Sequence, residues 1–244
     1  MIVPMAAVAP TIVATSMGLN RARAPWQPGP AFAHAADLAR PDGTPRLCVL
    51  TTAGPDAEQP ALRARFRAAF ADDRYGLSVL GSLDDPGVDD IGAHLAAQDV
   101  IWVDRGNLAT ALKAWRDHGV DAILRDCWRA GVVLAGESAG SLCWFANGIT
   151  DSSGTLGPYS NGLGFLPYAN CVHYADRRDE FHRMFANGDA STGYATDTGA
   201  GLVFQGEKIV AISDRKNAGA YRIQRAEDGT VTETALTVER LKRV

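Results

Sequence analysis

The chain has no pair of cysteines at metal-binding or redox spacing. Cys48, Cys127, Cys143 and Cys171 are scattered through the sequence without a CxxC. Zinc and a disulfide framework are therefore not expected, and reduced core thiols in a cytoplasmic protein are. No apolar run approaches the length that crosses a bilayer. Met1 to Pro10 is apolar but short and lacks a cationic flank, so it reads as a ragged terminus rather than a signal peptide. Basic excess is also missing. The formal net charge is −4, which leaves no footprint for nucleic acid. Internal repeats and low-complexity linkers are absent too. One domain spanning 1–244 is the economical expectation.

What is present is an alternation of short apolar runs and amphipathic stretches. Thr11 to Thr15, Leu47 to Leu50, Leu77 to Leu80, Val100 to Val103 and Val132 to Ala135 read as buried strands. Between them, Leu62, Phe66 and Phe70 recur every four residues among arginines, as on one face of a helix. Further helices are expected at Ile91 to Ala97, Ala109 to Asp117 and Asp121 to Arg129. The stretch from Arg21 to about Thr44 has no sustained period, although Ala31 to Leu38 fits a helix. Strands linked by helices of this length imply a doubly wound, mainly parallel α/β sheet sandwiched by helices. The last third differs. Leu202 to Phe204 and Ile209 to Ile212 read as a C-terminal β-hairpin, with short strands at Ala220 to Ile223 and Val231 to Thr234.

The chemistry concentrates in Gly136-Glu137-Ser138-Ala139-Gly140, directly after the most apolar strand and before a helical pattern. Gly-x-Ser-x-Gly in that context lifts a serine hydroxyl on a tight turn above the sheet edge. The amides of the following helix would then face a developing oxyanion. A glycine-rich turn with an exposed serine is the plainer reading of the same residues. A serine nucleophile needs a base. Of five histidines, His34 lies in the irregular N-terminal stretch, His94, His118 and His182 fit solvated helix faces, and His173 ends the β-like run Asn170 to Val172. A base at a strand end is what Ser138 requires, so His173 is the candidate.

These residues resemble the peptidase E family, the aspartyl dipeptidases and cyanophycinases. The resemblance rests on Gly136 to Phe145, Thr150-Asp151-Ser152, Leu163 to Pro167 with His173-Tyr174, Thr11 to Ser16, Gly106-Asn107, and Gly193-Tyr194-Ala195-x-Asp197-x-Gly199. It implies a class I glutamine amidotransferase-like fold and a serine peptidase without metal or cofactor. It implies Ser138 as nucleophile, His173 as base, Asp151 as orienting acid, and the amides of Gly106 and Ala139 as oxyanion donors. The implied substrate is a small peptide, in particular a dipeptide with N-terminal aspartate. Arg178 or Arg105 would clamp its carboxylate, with Asn107 and Glu137 also at the substrate. A monomer or homodimer is expected.

The chain departs from the pattern where Asp104-Arg105 replaces the start of a glycine run and Met17-Gly18 replaces a glycine pair. Side chains at 104 and 105 are expected to narrow or re-charge the pocket. Four other readings compete. An α/β-hydrolase would not place acid and histidine only 13 and 22 residues apart in succession. An amidotransferase needs a cysteine where Ser138 stands. An inert relative that binds a small molecule, or a cyanophycinase-like hydrolase, stays open.

Overall fold

A computed structural model describes residues 9–242, so the expectation for residues 1–10 lies almost wholly outside the described part. Two large sheets carry the architecture. The first has eight strands, in spatial order Val238–Arg240, Lys208–Ser213, Ala200–Gln205, Thr11–Thr15, Val133–Glu137, Val100–Val103, Arg46–Leu50 and Gly76–Leu80. From Thr11–Thr15 to Gly76–Leu80 every neighbouring pair is parallel. The expected hairpin is Ala200–Gln205 with Lys208–Ser213, and it pairs antiparallel to Thr11–Thr15.

The inner strands are buried and mostly apolar because both of their faces are covered. On one face Phe32, from helix Pro30–Ala39, stacks on Trp102 with ring centroids 3.8 Å apart. Phe66, from helix Gln59–Ala69, is fully buried in the same cluster. On the other face, helices Leu108–Asp117 and Val120–Arg129 bury Leu112, Trp115 and Leu124 against Ile101, Val103 and Leu134. Each such side chain contributes about 1.5–3 kcal/mol on burial. All four cysteines are free and buried. Among the described residues no helix is long and apolar enough to cross a membrane.

The second sheet is larger than the sequence suggests. Its six strands run Val231–Ala235, Ala220–Arg225, Thr192–Thr196, Leu166–Val172, Phe145–Thr150 and Gly157–Tyr159. Two differences from expectation follow from it. The helix after Ser138 is a single turn, Ala139–Leu142, because the chain leaves at Trp144-Phe145 to begin a strand. Aromatic and β-branched residues favour that strand, and Trp144 and Phe145 are fully buried there. The strand before His173, expected only over Asn170 to Val172, starts earlier and runs Leu166–Val172. Helix Arg178–Ala186 covers the outer face of this sheet through Phe181, Met184 and Phe185.

The stretch without periodicity forms a small antiparallel ribbon, Leu19–Asn20 with Gln27–Pro28, ahead of helix Pro30–Ala39. The ribbon lies over the carboxyl edge of the parallel strands, where open α/β sheets bind ligands.

Candidate active site

Ser138 follows the strand Val133–Glu137 with φ 59° and ψ −113°, an uncommon conformation for a residue with a side chain. Such a conformation costs about 1–3 kcal/mol and persists only where neighbours enforce it. They do so here. A Cβ on Gly136 would lie 2.2 Å from the Gly140 carbonyl oxygen, and one on Gly140 would lie 2.1 Å from that of Val103. The turn is thus pressed against the end of the adjoining strand, and only glycine fits at either position. The Ser138 N–H donates to the Thr15 carbonyl at 3.0 Å. Thr15 Oγ1 lies 2.9 Å from the Gly136 carbonyl oxygen, which ties the turn to the first strand.

His173 sits at the end of Leu166–Val172 in a left-handed conformation, φ 55° and ψ 47°. Its N–H donates to Ser16 Oγ at 3.2 Å, and Ser16 Oγ lies 2.7 Å from Thr196 Oγ1. The residue after the first strand of one sheet therefore holds the histidine at the edge of the other. The ring comes to Ser138, with Nε2 3.2 Å from Oγ. Partial burial pushes the imidazole below its ordinary pKa and Arg177 adds to this, while Glu137, Asp151 and Asp176 oppose the change without reversing it. The ring is neutral near pH 7, as a general base must be.

The other nitrogen, Nδ1, lies 2.9 Å from Thr198 Oγ1. Asp151, expected to orient the ring, hydrogen-bonds to Arg177 instead at 2.9 Å and is largely exposed. Its charge still reaches His173 through space. The physical reason is the turn at Thr150 to Gly154. There Ser152 Oγ accepts from Leu108 N at 2.9 Å and the Ser152 carbonyl accepts from Asn107 Nδ2 at 2.8 Å. These bonds dock the loop on the helix start and leave Asp151 facing outward. Thr198 was not singled out in the sequence. Its position held a signal, since it follows Thr192–Thr196, the parallel neighbour of the strand that ends at His173. It also lies inside the motif Gly193 to Gly199.

Of the expected oxyanion donors, Ala139 is the first residue of its helical turn, so its N–H has no intrahelical partner. Gly106 adopts φ 151°, and a Cβ there would lie 2.3 Å from the Ala53 carbonyl oxygen. Asn107 caps helix Leu108–Asp117 by accepting from Thr110 N at 3.0 Å. That bond and the tie to Ser152 engage both ends of the Asn107 side-chain amide.

His173, Thr198, Glu137 and Arg105 line one cleft of about 670 Å³ beneath the ribbon. Arg105 is exposed at its rim. Asp104 does not narrow this cleft as anticipated. It is buried in an ion pair with Arg21, and Arg21 also meets Glu137 at 2.7 Å. Burial pushes the Asp104 carboxyl up to about 6 even though Arg21 opposes it, and the Glu137 charge adds to the rise. Arg178 lies elsewhere. It pairs with Glu233 at 2.9 Å, beside His182 and Tyr174, and borders a recess formed by residues 175–180 and Arg183.

The model of peptidase family S51 matches residues 31–212. The uncharacterized peptidase YgaJ of Bacillus subtilis (strain 168) is 40% identical over 201 residues, covering 81% of this chain and 85% of that protein. The crystal structure of a peptidase from an acI-B1 Actinobacterium superposes with a TM-score of 0.68 at 14% identity, covering 97% of each chain. A protein from Listeria monocytogenes EGD-e assigned to peptidase E gives 0.56 at 16% identity, covering 83% of this chain and 98% of its own. At these identities the two structures speak for the fold.

Proposed function

The chain belongs to peptidase family S51, and from that premise we propose that it is a serine-type peptidase acting on short peptides, with Ser138 as nucleophile. The observation that carries this reading is the 3.2 Å approach of His173 Nε2 to a Ser138 hydroxyl held on a strained turn. In the proposed reaction His173 Nε2 takes the hydroxyl proton as Oγ attacks the scissile carbonyl carbon. The amides of Gly106 and Ala139 face the resulting oxyanion. His173 then gives the proton to the departing amine, and water releases the acyl group by the same steps.

Thr198 fixes the tautomer by accepting from Nδ1–H, which leaves the Nε2 lone pair toward Ser138. Asp151 supports the imidazolium through its field. The preferred substrate is a dipeptide with N-terminal aspartate, and Arg105 is the cation for its side chain. Arg105 stands at the cleft rim, and among the described residues no carboxylate pairs with it, whereas Arg178 is engaged by Glu233. The buried unpaired thiols agree with a reducing compartment, the cytoplasm.

One observation favours a second reading, an inert member that binds a small molecule. The acid of the expected triad is held by Arg177 rather than by His173. Two measurements separate the readings. Ser138→Ala should abolish both dipeptide hydrolysis and fluorophosphonate labelling, with a drop in activity of at least about a thousandfold. A wild-type protein that resists the label and cleaves no dipeptide would favour the inert reading. Equal cleavage of Asp-Xaa and Asn-Xaa dipeptides would remove the acidic-substrate proposal and leave the serine chemistry standing.

A further inference from the structure

Two carboxylates leave the first sheet side by side at its carboxyl edge. Asp104 follows the strand Val100–Val103 and precedes Gly106 by two residues. Glu137 ends the strand Val133–Glu137 and directly precedes Ser138. The strands are parallel neighbours in register, Val103 opposite Gly136. Both carboxylates are buried, Asp104 at 4% and Glu137 at 8% exposure. One cation meets both. Arg21, at the start of the ribbon turn, places Nη1 2.7 Å from Glu137 Oε2 and Nη2 against Asp104 Oδ1. Its guanidinium also lies 5.2 Å from the Trp26 ring centroid. Gly18 leaves the room, since a Cβ there would come within 2.3 Å of Glu137 Oε2.

We propose that Arg21 is a positioning residue for hydrolysis, clamping the residue before the nucleophile to the strand end that carries the Gly106 amide and offsetting two buried negative charges beside the oxyanion. The inference rests on the serine-peptidase reading above. Buried carboxylates on the residue before the nucleophile and on the residue two before Gly106 would oppose a forming oxyanion, because charges inside a protein are poorly screened. A guanidinium answers both with separate N–H groups in a rigid fork, which the single ammonium of lysine does not reproduce. The replacement of glycine by Asp104 also gains a purpose. It supplies the second anchor for Arg21, and the ribbon, 83 residues away in sequence, is held over the cleft.

The test uses a fluorophosphonate probe, which reads the activated serine through an anionic transition state and requires no known substrate. Labelling rates are compared for wild type, R21K, R21M and the charge-free triple variant R21M/D104N/E137Q, with S138A as control. R21M should label at least about thirtyfold slower, and R21K at least about fivefold slower. The triple variant should recover to within about tenfold of wild type, because the opposing charges go with the cation. The His173 ring, followed by NMR, supplies a second readout that a purely structural role would not move. It faces Arg177, Glu137, Asp151 and Asp176. Its titration should move to higher pH in R21M, where Glu137 is unmasked, and return in the triple variant.

Wild-type labelling by R21M overturns the proposal. So does a folded triple variant no faster than R21M. If R21M fails to fold, R21K and the triple variant decide, and a wild-type rate in R21K overturns it. Continued labelling of S138A is a different outcome, since it removes the nucleophile assignment itself.

Discussion

Replacing Thr198 by valine keeps the side-chain volume and removes only the hydroxyl that lies 2.9 Å from His173 Nδ1. A neutral hydrogen bond is worth about 0.5–1.5 kcal/mol net. Because Thr198 is exposed, water replaces part of that. The loss taken at about 1 kcal/mol corresponds to turnover about fivefold slower. The hydroxyl binds the imidazolium more strongly than the neutral ring, so its removal lowers the His173 pKa. The acid limb of the kcat/KM profile therefore moves to lower pH. Thr198→Asp reverses the sign. A charged acceptor is worth about 1.5–3 kcal/mol, or about 1–2 kcal/mol more than the hydroxyl. That raises the His173 pKa by about one unit and turnover by about five- to thirtyfold. The assay is the pH profile of Asp-Xaa dipeptide cleavage, with the ring titration followed by NMR. Thr198→Val with unchanged turnover and an unmoved acid limb would refute the assignment of Thr198 as the ring's orienting partner.

Asp151→Asn should lower turnover by no more than about tenfold, because its carboxylate is bonded to Arg177 and reaches His173 only through space. A loss near ten-thousandfold, the scale for a bonded triad acid, would show instead that the carboxylate swings to the ring when substrate binds. Gly140→Ala puts a Cβ 2.1 Å from a backbone oxygen and should destabilise the fold by at least about 3 kcal/mol, seen as a fall of at least about 6 °C in Tm. An unshifted Tm would mean that the elbow relaxes freely. Asp104 titrates near 6 when folded against 3.8 as an ordinary carboxyl, so its contribution to stability is greatest below pH 3.8 and declines as pH rises through 6. The stability of Asp104→Asn relative to wild type should accordingly improve by up to about 3 kcal/mol between pH 4 and 6, measured by denaturant titration. A pH-independent difference would contradict this.

The sequence by itself determined the elements whose signal is local. Thr11–Thr15 and Val100–Val103 lie where their apolar runs place them, and Leu108–Asp117 and Val120–Arg129 differ from expectation by one residue at one end. A strand buried on both faces and a helix buried on one leave periods that neighbours cannot disguise. The elbow was legible too, because Gly-x-Ser-x-Gly after an apolar run is a local pattern, although the strand end that makes glycine necessary at 140 is Val103, 37 positions away. Tertiary structure alone decided which side chains meet. Strand order brings His173 to Ser138 from 35 positions away and sets Thr198, 25 positions further, at its other nitrogen. It also sends Asp151 and Arg178 to partners of their own and draws Arg21 from an aperiodic stretch to Glu137, 116 positions distant. Charges and hydroxyls carry no period, and several partners are available to each. Only the fold, by burying some pairs and leaving others in water, selects which of them form.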